Sequence, residues 1–222
     1  MVFGCQTTDL KVRGAKLGNL ECVLPGESAE QIIVGAHFDM IGGGKGVVDN
    51  WTGAAMLPLL YQSLKTVKHK FTFRFIAFTD EEKGLVGSTF YANKMSKPEV
   101  QSTVAMVNLD SLGMTETKVW ESRADKHLIE LLLKLRSAMK LKVEGVNVEQ
   151  VGSTDQEPFR KRNIPAITFH SITVDTWKIL HSSKDNAEAL NLDYYYDTYR
   201  LIAGYLAYLD MALAPAPTAS AN

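Results

Sequence analysis

The chain has 222 residues, of which 45% are hydrophobic, and it carries a formal net charge of -1. A chain of this length can bury a sizeable core, and this composition excludes wholesale disorder. The near balance of 24 basic and 25 acidic residues lacks the basic footprint of nucleic-acid binding, so we expect no nucleic-acid partner. We expect no membrane span either, since no stretch approaches the roughly 20 apolar residues that one requires.

Apolar, β-branched runs alternate with helical patterns along the chain. The runs predict strands at 17–25, 31–36, 71–79, 103–109 and 166–169, and the patterns predict helices at 50–65, 84–94, 125–141 and 192–212. Several strands are apolar enough to be buried on both faces, which favours a three-layer α/β/α sandwich with a largely parallel sheet. We expect a single domain over residues 1–213 and a disordered Ala-, Pro- and Ser-rich tail over residues 214–222.

The chain has two cysteines, Cys5 and Cys22, which are too few for a disulfide scaffold or a thiolate zinc site. One disulfide between them is possible, and the sequence does not decide whether it forms. The first residues lack the basic start and apolar run of a signal peptide. His69 lies between two lysines, which predicts a solvent-facing side chain.

Side chains that can bind a metal ion follow several predicted strands. The carboxyl ends of parallel strands lie at one edge of a sheet, so residues there come together in space. Singly, each has an ordinary structural interpretation, such as an aspartate that caps a helix. Their recurrence at separate strand ends favours a metal site, and the candidates are His37, Asp39, Asp49, Glu81, Glu82, Asp110 and His181.

The types of these side chains narrow the chemistry. Histidine nitrogen and carboxylate oxygen without thiolate suit zinc, with manganese or cobalt as alternatives. Two histidines and three carboxylates exceed one open tetrahedral site and suit two ions that share a bridging carboxylate. A remaining carboxylate can act as a general base, and the spacing of His37 and Asp39 allows the aspartate to orient the imidazole. Motifs of other enzymes, H-E-x-x-H, G-x-S-x-G and the P-loop, are absent from the sequence.

Five segments together resemble the family 28 zinc metallopeptidases, which include the bacterial leucyl-type aminopeptidases. They are HFD at 37–39, VDNWTG at 48–53, DEEKGLVGS at 80–88, NLD at 108–110 and HSSKD at 181–185. The resemblance covers roughly residues 19–213. It implies a zinc-exopeptidase fold of the phosphorylase/hydrolase-like kind, an α/β/α sandwich around a mostly parallel mixed sheet.

The resemblance also implies a centre with two zinc ions per chain. His37 and Asp110 would bind one ion, whereas Glu82 and His181 would bind the other. Asp49 would bridge the two. The peptide bond that follows this bridging aspartate is typically cis in the family, so we expect a cis bond there.

The implied activity is that of an aminopeptidase, a hydrolase that removes the N-terminal residue from peptides with a free N-terminus. Glu81 would act as general base and acid toward a metal-activated water, and Asp39 would orient His37. Trp51 and Trp177 are candidates for the wall of a side-chain pocket. Members of the family are commonly secreted or periplasmic, which is the location that we expect; the oligomeric state stays open.

Two alternative functions remain at this point. The family includes glutaminyl cyclases, which use one zinc ion to cyclise N-terminal glutamine, and residues 155–160 are somewhat similar to their sequence. However, Leu180 stands where cyclases usually have tryptophan. Receptor ectodomains of this fold that lack metal suggest a non-catalytic binding domain. Two departures from the family pattern are Gln156, where many members have histidine, and a short segment before residue 19, where members usually have a further helix and strand.

Overall fold

The computed structural model describes residues 4–213, and the predicted tail over 214–222 lies outside the described residues. The strands are β1 (Thr7–Leu10), β2 (Asn19–Leu24), β3 (Gln31–His37), β4 (Thr72–Phe78), β5 (Thr103–Leu109), β6 (Lys118–Val119), β7 (Glu144–Gly145) and β8 (Ala166–His170). The α-helices are α1 (Thr52–Leu64), α2 (Val86–Lys94), α3 (Lys97–Ser102), α4 (Lys126–Met139), α5 (Glu157–Arg160) and α6 (Leu192–Ala212). All the elements predicted from the sequence are present, with ends within about two residues of the prediction.

The strands form one mixed sheet in the order β1-β2-β4-β3-β5-β8-β6-β7. The four central strands β4, β3, β5 and β8 are parallel, whereas β1 and β2 pair antiparallel at one edge and β6 pairs antiparallel with β8 at the other. His37 pairs with Phe78, and Leu109 pairs with Phe169, so the carboxyl ends of the central strands lie at one edge.

Helices cover both faces of this sheet because successive strand residues point to opposite sides. Ile32 and Val34 belong to a core that includes residues of α1, α4 and α6. Ile33, between them, belongs to a second core with residues of α2 and with Phe159 of α5. Full burial of each such side chain stabilises the fold by about 2 kcal/mol. The predicted three-layer sandwich is thereby confirmed.

Two short helices, α3 and α5, lie outside the predicted elements. A sequence signal for α3 exists, because Ser96 and Glu99 form a capping box: the Ser96 side chain accepts from the Glu99 N–H, and the Glu99 carboxylate accepts from the Ser96 N–H. The four residues of α5 are too few to show a helical period.

Two long-range links were not predicted by residue patterns. Cys5 and Cys22 form a disulfide that ties the segment before β1 to β2. The expectation for His69 is wrong, since the residue is 5% exposed and its Nε2 lies 2.7 Å from the carbonyl oxygen of Leu64. Asp210 of α6 approaches the same ring and accepts the backbone N–H of Phe71, so the last helix buries this histidine. Among residues 4–213, no helix is long and apolar enough to cross a membrane.

Candidate metal centre

The seven candidate residues lie together at the carboxyl edge of the sheet. His37 ends β3, and Asp110 follows β5 directly. Their ligand atoms form two groups, each with every atom within 4.8 Å of the others. The first cluster is His37, Glu81 and Asp110, and the second cluster is Asp49, Glu82 and His181.

Asp49 lies between the two histidines. Its Oδ1 is 3.1 Å from His37 Nε2, and its Oδ2 is 3.1 Å from His181 Nε2. Glu82 Oε2 lies 3.1 Å from the same nitrogen of His181, and Asp110 Oδ1 lies 3.9 Å from His37 Nε2. One carboxylate therefore faces both ligand sets with separate oxygens, as a bridging ligand does.

A wide turn over Val47–Trp51 presents Asp49 to the edge of the sheet. The Asp49–Asn50 bond in this turn is cis, as expected. The Asn50 side chain fixes the turn to β5: its Nδ2 donates to the Leu109 carbonyl at 2.9 Å, and its Oδ1 accepts the Ser111 N–H at 3.2 Å. The position of Asp49 thus depends on the end of a neighbouring strand.

Asp39 holds three of the candidate residues at once. Its carboxylate accepts the backbone N–H groups of Glu81 at 2.9 Å and Glu82 at 3.2 Å. Its Oδ1 lies 3.6 Å from His37 Nδ1, whose closer neighbour is the Asp39 carbonyl oxygen at 3.2 Å. Asp39 therefore positions the glutamate turn as well as the imidazole, and the sequence predicted only the second role.

Asp110 is fixed by hydroxyl groups that sequence reasoning missed. Ser111 Oγ donates to Asp110 Oδ1 at 2.9 Å, and Thr154 Oγ1 donates to Asp110 Oδ2 at 2.6 Å. Asn108 Nδ2 donates in turn to Thr154 Oγ1 at 2.7 Å. A lone threonine far away in sequence has no pattern that could have identified it.

The carboxyl groups of the centre have strongly perturbed pKa values. Burial, followed by the charge of Asp155, raises the pKa of Glu81 to about 10. Burial, followed by the charge of Asp49, raises the pKa of Glu82 to about 7. Burial also opposes the charge of Asp49, but hydrogen bonds with His181 and His37 hold its pKa far below the usual range. Such crowding of negative groups indicates a place for cations.

The two histidines have raised pKa values. For His37, burial disfavours the imidazolium, yet the surrounding carboxylates of Asp110, Asp39 and Asp49 outweigh it and raise the pKa well above its ordinary value. For His181, hydrogen bonding to Asp49 is the main cause of the rise in pKa. The neighbouring carboxylates therefore favour positive charge at both rings.

These residues fit divalent cations. Within the described part of the chain, the ion pairs of the candidate carboxylates are with histidines rather than with lysine or arginine. Glu82 Oε1 is buried without a hydrogen-bond partner, which leaves one ligand oxygen unused. Nitrogen and oxygen donors without sulfur suit zinc, manganese or cobalt.

A cavity of about 290 Å³ opens beside the two clusters. His170 in its wall is buried, and burial lowers the pKa of its ring to about 4, so the ring is neutral. Trp177 lines this cavity as expected, whereas Trp51 lines a separate apolar cavity beside α1. The apolar wall of the first cavity consists of Trp120, Val148, Ile172, Trp177 and Leu180.

Residues 19–206 match the profile of Peptidase family M28. The chain belongs to this family. Aminopeptidase YwaD of Bacillus subtilis is 27% identical to this M28 chain over 173 residues, which are 72% of the chain and 37% of YwaD. The motif-based resemblance to family 28 is thereby confirmed.

Solved structures show the same M28 fold. LapA aminopeptidase of Legionella pneumophila superimposes with a TM-score of 0.84 at 23% identity, covering 94% of this chain and 60% of LapA. A glutaminyl cyclase from an Acidobacteriales bacterium superimposes with a TM-score of 0.77 at 15% identity, covering 93% of this chain and 79% of the cyclase. The M28 chain thus spans about 37% of the length of YwaD and about 60% of LapA.

Proposed function

We propose that this M28 chain is a zinc-dependent aminopeptidase that hydrolyses the N-terminal peptide bond of peptides. The main support is the carboxylate of Asp49, which faces His37 with one oxygen and His181 with the other. The name of its relative YwaD, an aminopeptidase, supports the same reaction.

The proposed centre holds two zinc ions. His37 and Asp110 would hold one ion, Glu82 and His181 would hold the other, and Asp49 would contact both. When bound, the ions would supply Lewis-acid activation of water and of the scissile carbonyl, and positive charge that lowers the pKa of Glu81.

Glu81 is the proposed general base and acid. Glu81 lines the cavity as a member of the first cluster, and its backbone N–H donates to the Asp39 carboxylate. Its carboxylate would accept a proton from the attacking water and then deliver that proton to the leaving amine. A rigid turn suits this role because proton transfer requires hydrogen-bond distance in both steps.

The cavity defines the N-terminal residue that the enzyme would accept. The carboxylates of Glu82 and Asp49 lie at one side and would favour the positive α-amino group. The wall formed by Trp120, Ile172 and Trp177 is apolar, and His170 is neutral. We therefore expect uncharged, apolar N-terminal side chains to be preferred over charged ones.

The Cys5–Cys22 disulfide supports a secreted or periplasmic location as part of this proposal. Disulfides persist in oxidising compartments and are rare in the cytosol. Fractionation of the source cells, with the protein in the external or periplasmic fraction, would support it, and recovery from the cytosol with both cysteines reduced would contradict it.

Glutaminyl cyclisation is the second candidate, because the M28 fold of this chain matches a glutaminyl cyclase along most of both chains. One mass spectrum separates the two reactions. Zinc-loaded protein is incubated with Leu-initiated and Gln-initiated peptides, and we expect loss of a whole N-terminal residue. Loss of ammonia from the Gln peptide, above a control without enzyme, would replace the aminopeptidase with the cyclase. A protein that binds no zinc and changes neither peptide would contradict both.

A further inference from the structure

Asp185 is a buried carboxylate that none of the roles above uses. The residue is 2% exposed and ends the segment 181–185 that begins with His181. Its Oδ1 accepts the backbone N–H of Val48 at 2.7 Å, and its Oδ2 accepts the backbone N–H of Asp49 at 3.3 Å. A side chain from one loop therefore holds the backbone of the proposed bridging ligand.

The same two segments also touch through their backbones. The N–H of Lys45 donates to the carbonyl oxygen of Asp185 at 2.8 Å. Gly44 packs so closely that a Cβ there would lie 2.4 Å from the carbonyl oxygen of Ser182 and 3.0 Å from Asp185 Cβ. The segment 181–185 that carries His181 therefore packs directly against residues 44–45, which precede the turn of Asp49.

This junction acts on the second cluster more than on the first. Asp49 and His181, two members of the second cluster, lie on the joined segments. His37 ends β3 and pairs with Phe78, and Asp110 follows β5, where its backbone N–H donates to the carbonyl oxygen of Phe169 at 3.0 Å. Asp110 has its own support from Thr154 and Ser111.

We propose that Asp185 is a positioning residue that sets the affinity of the second zinc site by holding Asp49 at a fixed separation from His181. The inference rests on the proposed two-ion centre. Groups that orient metal ligands through hydrogen bonds typically change metal affinity by about 10- to 100-fold when they are removed. The hydrogen bonds of Asp185 are to backbone N–H groups, and a carboxylate accepts them more strongly than a neutral group does.

The direct test is Asp185→Asn. The amide keeps the size of the side chain and one acceptor, but it turns an NH₂ group toward a backbone N–H. Zinc is titrated into the metal-free protein against a competing chelator, and cobalt(II) absorption is recorded to follow each site. We expect the wild type to bind two ions. In the variant, the zinc affinity of the first site should stay within about threefold of the wild-type value, and that of the second site should be lower by about 10- to 100-fold.

Matched variants sharpen the test. Asp175→Asn removes an exposed carboxylate and should change neither affinity. Thr154→Val removes the hydroxyl bound to Asp110 and should weaken the first ion more than the second. Gly44→Ala pushes against the base of the 181–185 segment and should reproduce the Asp185 effect, whereas Gly42→Ala, with nothing within 4 Å of its Cβ, should not.

The outcomes separate this inference from the proposed centre. A wild type that binds fewer than two ions overturns the two-ion centre, and the inference with it. Two ions in the wild type with unchanged affinities in Asp185→Asn, or with equal weakening of both, overturn the inference alone. Circular dichroism in the presence of chelator establishes whether each variant is folded. If Asp185→Asn is unfolded, the zinc affinities of Gly44→Ala and Gly42→Ala are compared instead, and a second site that is not selectively weakened in Gly44→Ala overturns the inference.

Discussion

The two clusters offer similar donors from very different supports. In the first cluster, His37 is 2% exposed and both His37 and Asp110 are fixed by their positions at strand ends. In the second cluster, the His181 side chain is 47% exposed and lies on a long loop between β8 and α6. Strand pairing places His37 and Asp110. Side-chain hydrogen bonds to backbone N–H groups hold Asp49 and Glu82 of the second cluster, and Glu81 of the first cluster shares that kind of support. We therefore expect the first cluster to resist changes that damage the second.

The largest effect on activity is expected from substitution of Glu81, and the same substitution at its neighbour Glu82 serves for comparison. Glu81→Gln removes the proposed base and should lower kcat by roughly 10³- to 10⁴-fold while the zinc content is unchanged, since general acid–base catalysis contributes up to about 10⁴-fold. Glu82→Gln should lower the zinc content as well. Steady-state kinetics and metal analysis of both variants check this; a Glu81→Gln protein that lost zinc would make Glu81 a ligand.

Substitution of the two histidines should destabilise the metal-free protein to different extents. His37→Ala leaves Asp39, Asp49 and Asp110 without the imidazole ring that they surround, and removing one partner of a buried ion pair costs about 3 kcal/mol. His181→Ala removes a half-exposed ring and should cost less, since Asp49 keeps its contact with His37. Urea unfolding in chelator measures both free energies, and equal losses would contradict the difference in support.

The pH dependence of stability should reverse when metal binds. Burial raises the pKa of both Glu82 and Asp155 to about 7. A carboxyl group with a higher pKa in the folded state contributes stability that is present at low pH and lost as pH rises through the folded value. The free energy of unfolding of the metal-free protein should therefore fall between about pH 5 and about pH 8, by at most about 2.5 kcal/mol for each of the two groups.

With zinc present, the slope should have the opposite sign. Zinc competes with protons for the same ligands, so its stabilisation grows as pH rises. The raised pKa of His37 adds to the loss of stability in the metal-free protein, because the stability that this raised pKa contributes is lost as pH rises through its folded-state value. Unfolding curves with and without chelator at several pH values test this, and parallel slopes would contradict the assignment of Glu82 and His37 to the metal centre.

The parts of the molecule that have local sequence patterns are the predictable ones. The apolar strands predict the sheet, and the residues that follow them predict a metal site at its edge. The supporting contacts were not predictable, since Asp185 meets Val48 across 137 residues and accepts from a backbone N–H, which any residue type offers. His69 was assigned to the surface from its lysine neighbours because the burying Asp210 comes from the far end of the chain. The Cys5–Cys22 disulfide similarly depends on the pairing of β1, a strand without apolar alternation.

The smallest effect concerns the two tryptophans that the sequence could not separate. Trp177 lines the cavity beside the clusters, whereas Trp51 lines the apolar cavity beside α1. Loss of apolar contact with a substrate side chain costs about 1–3 kcal/mol, and partial exposure of Trp177 places the effect near about 1 kcal/mol. Trp177→Ala should therefore lower kcat/KM for peptides with large apolar N-terminal residues by roughly fivefold and leave kcat/KM for peptides with N-terminal alanine almost unaffected.

Trp51→Ala is the matched control, with an equally large ring that is more exposed and outside the cavity, and it should change neither value. A greater loss from Trp51→Ala would place the substrate side chain in the apolar cavity beside α1.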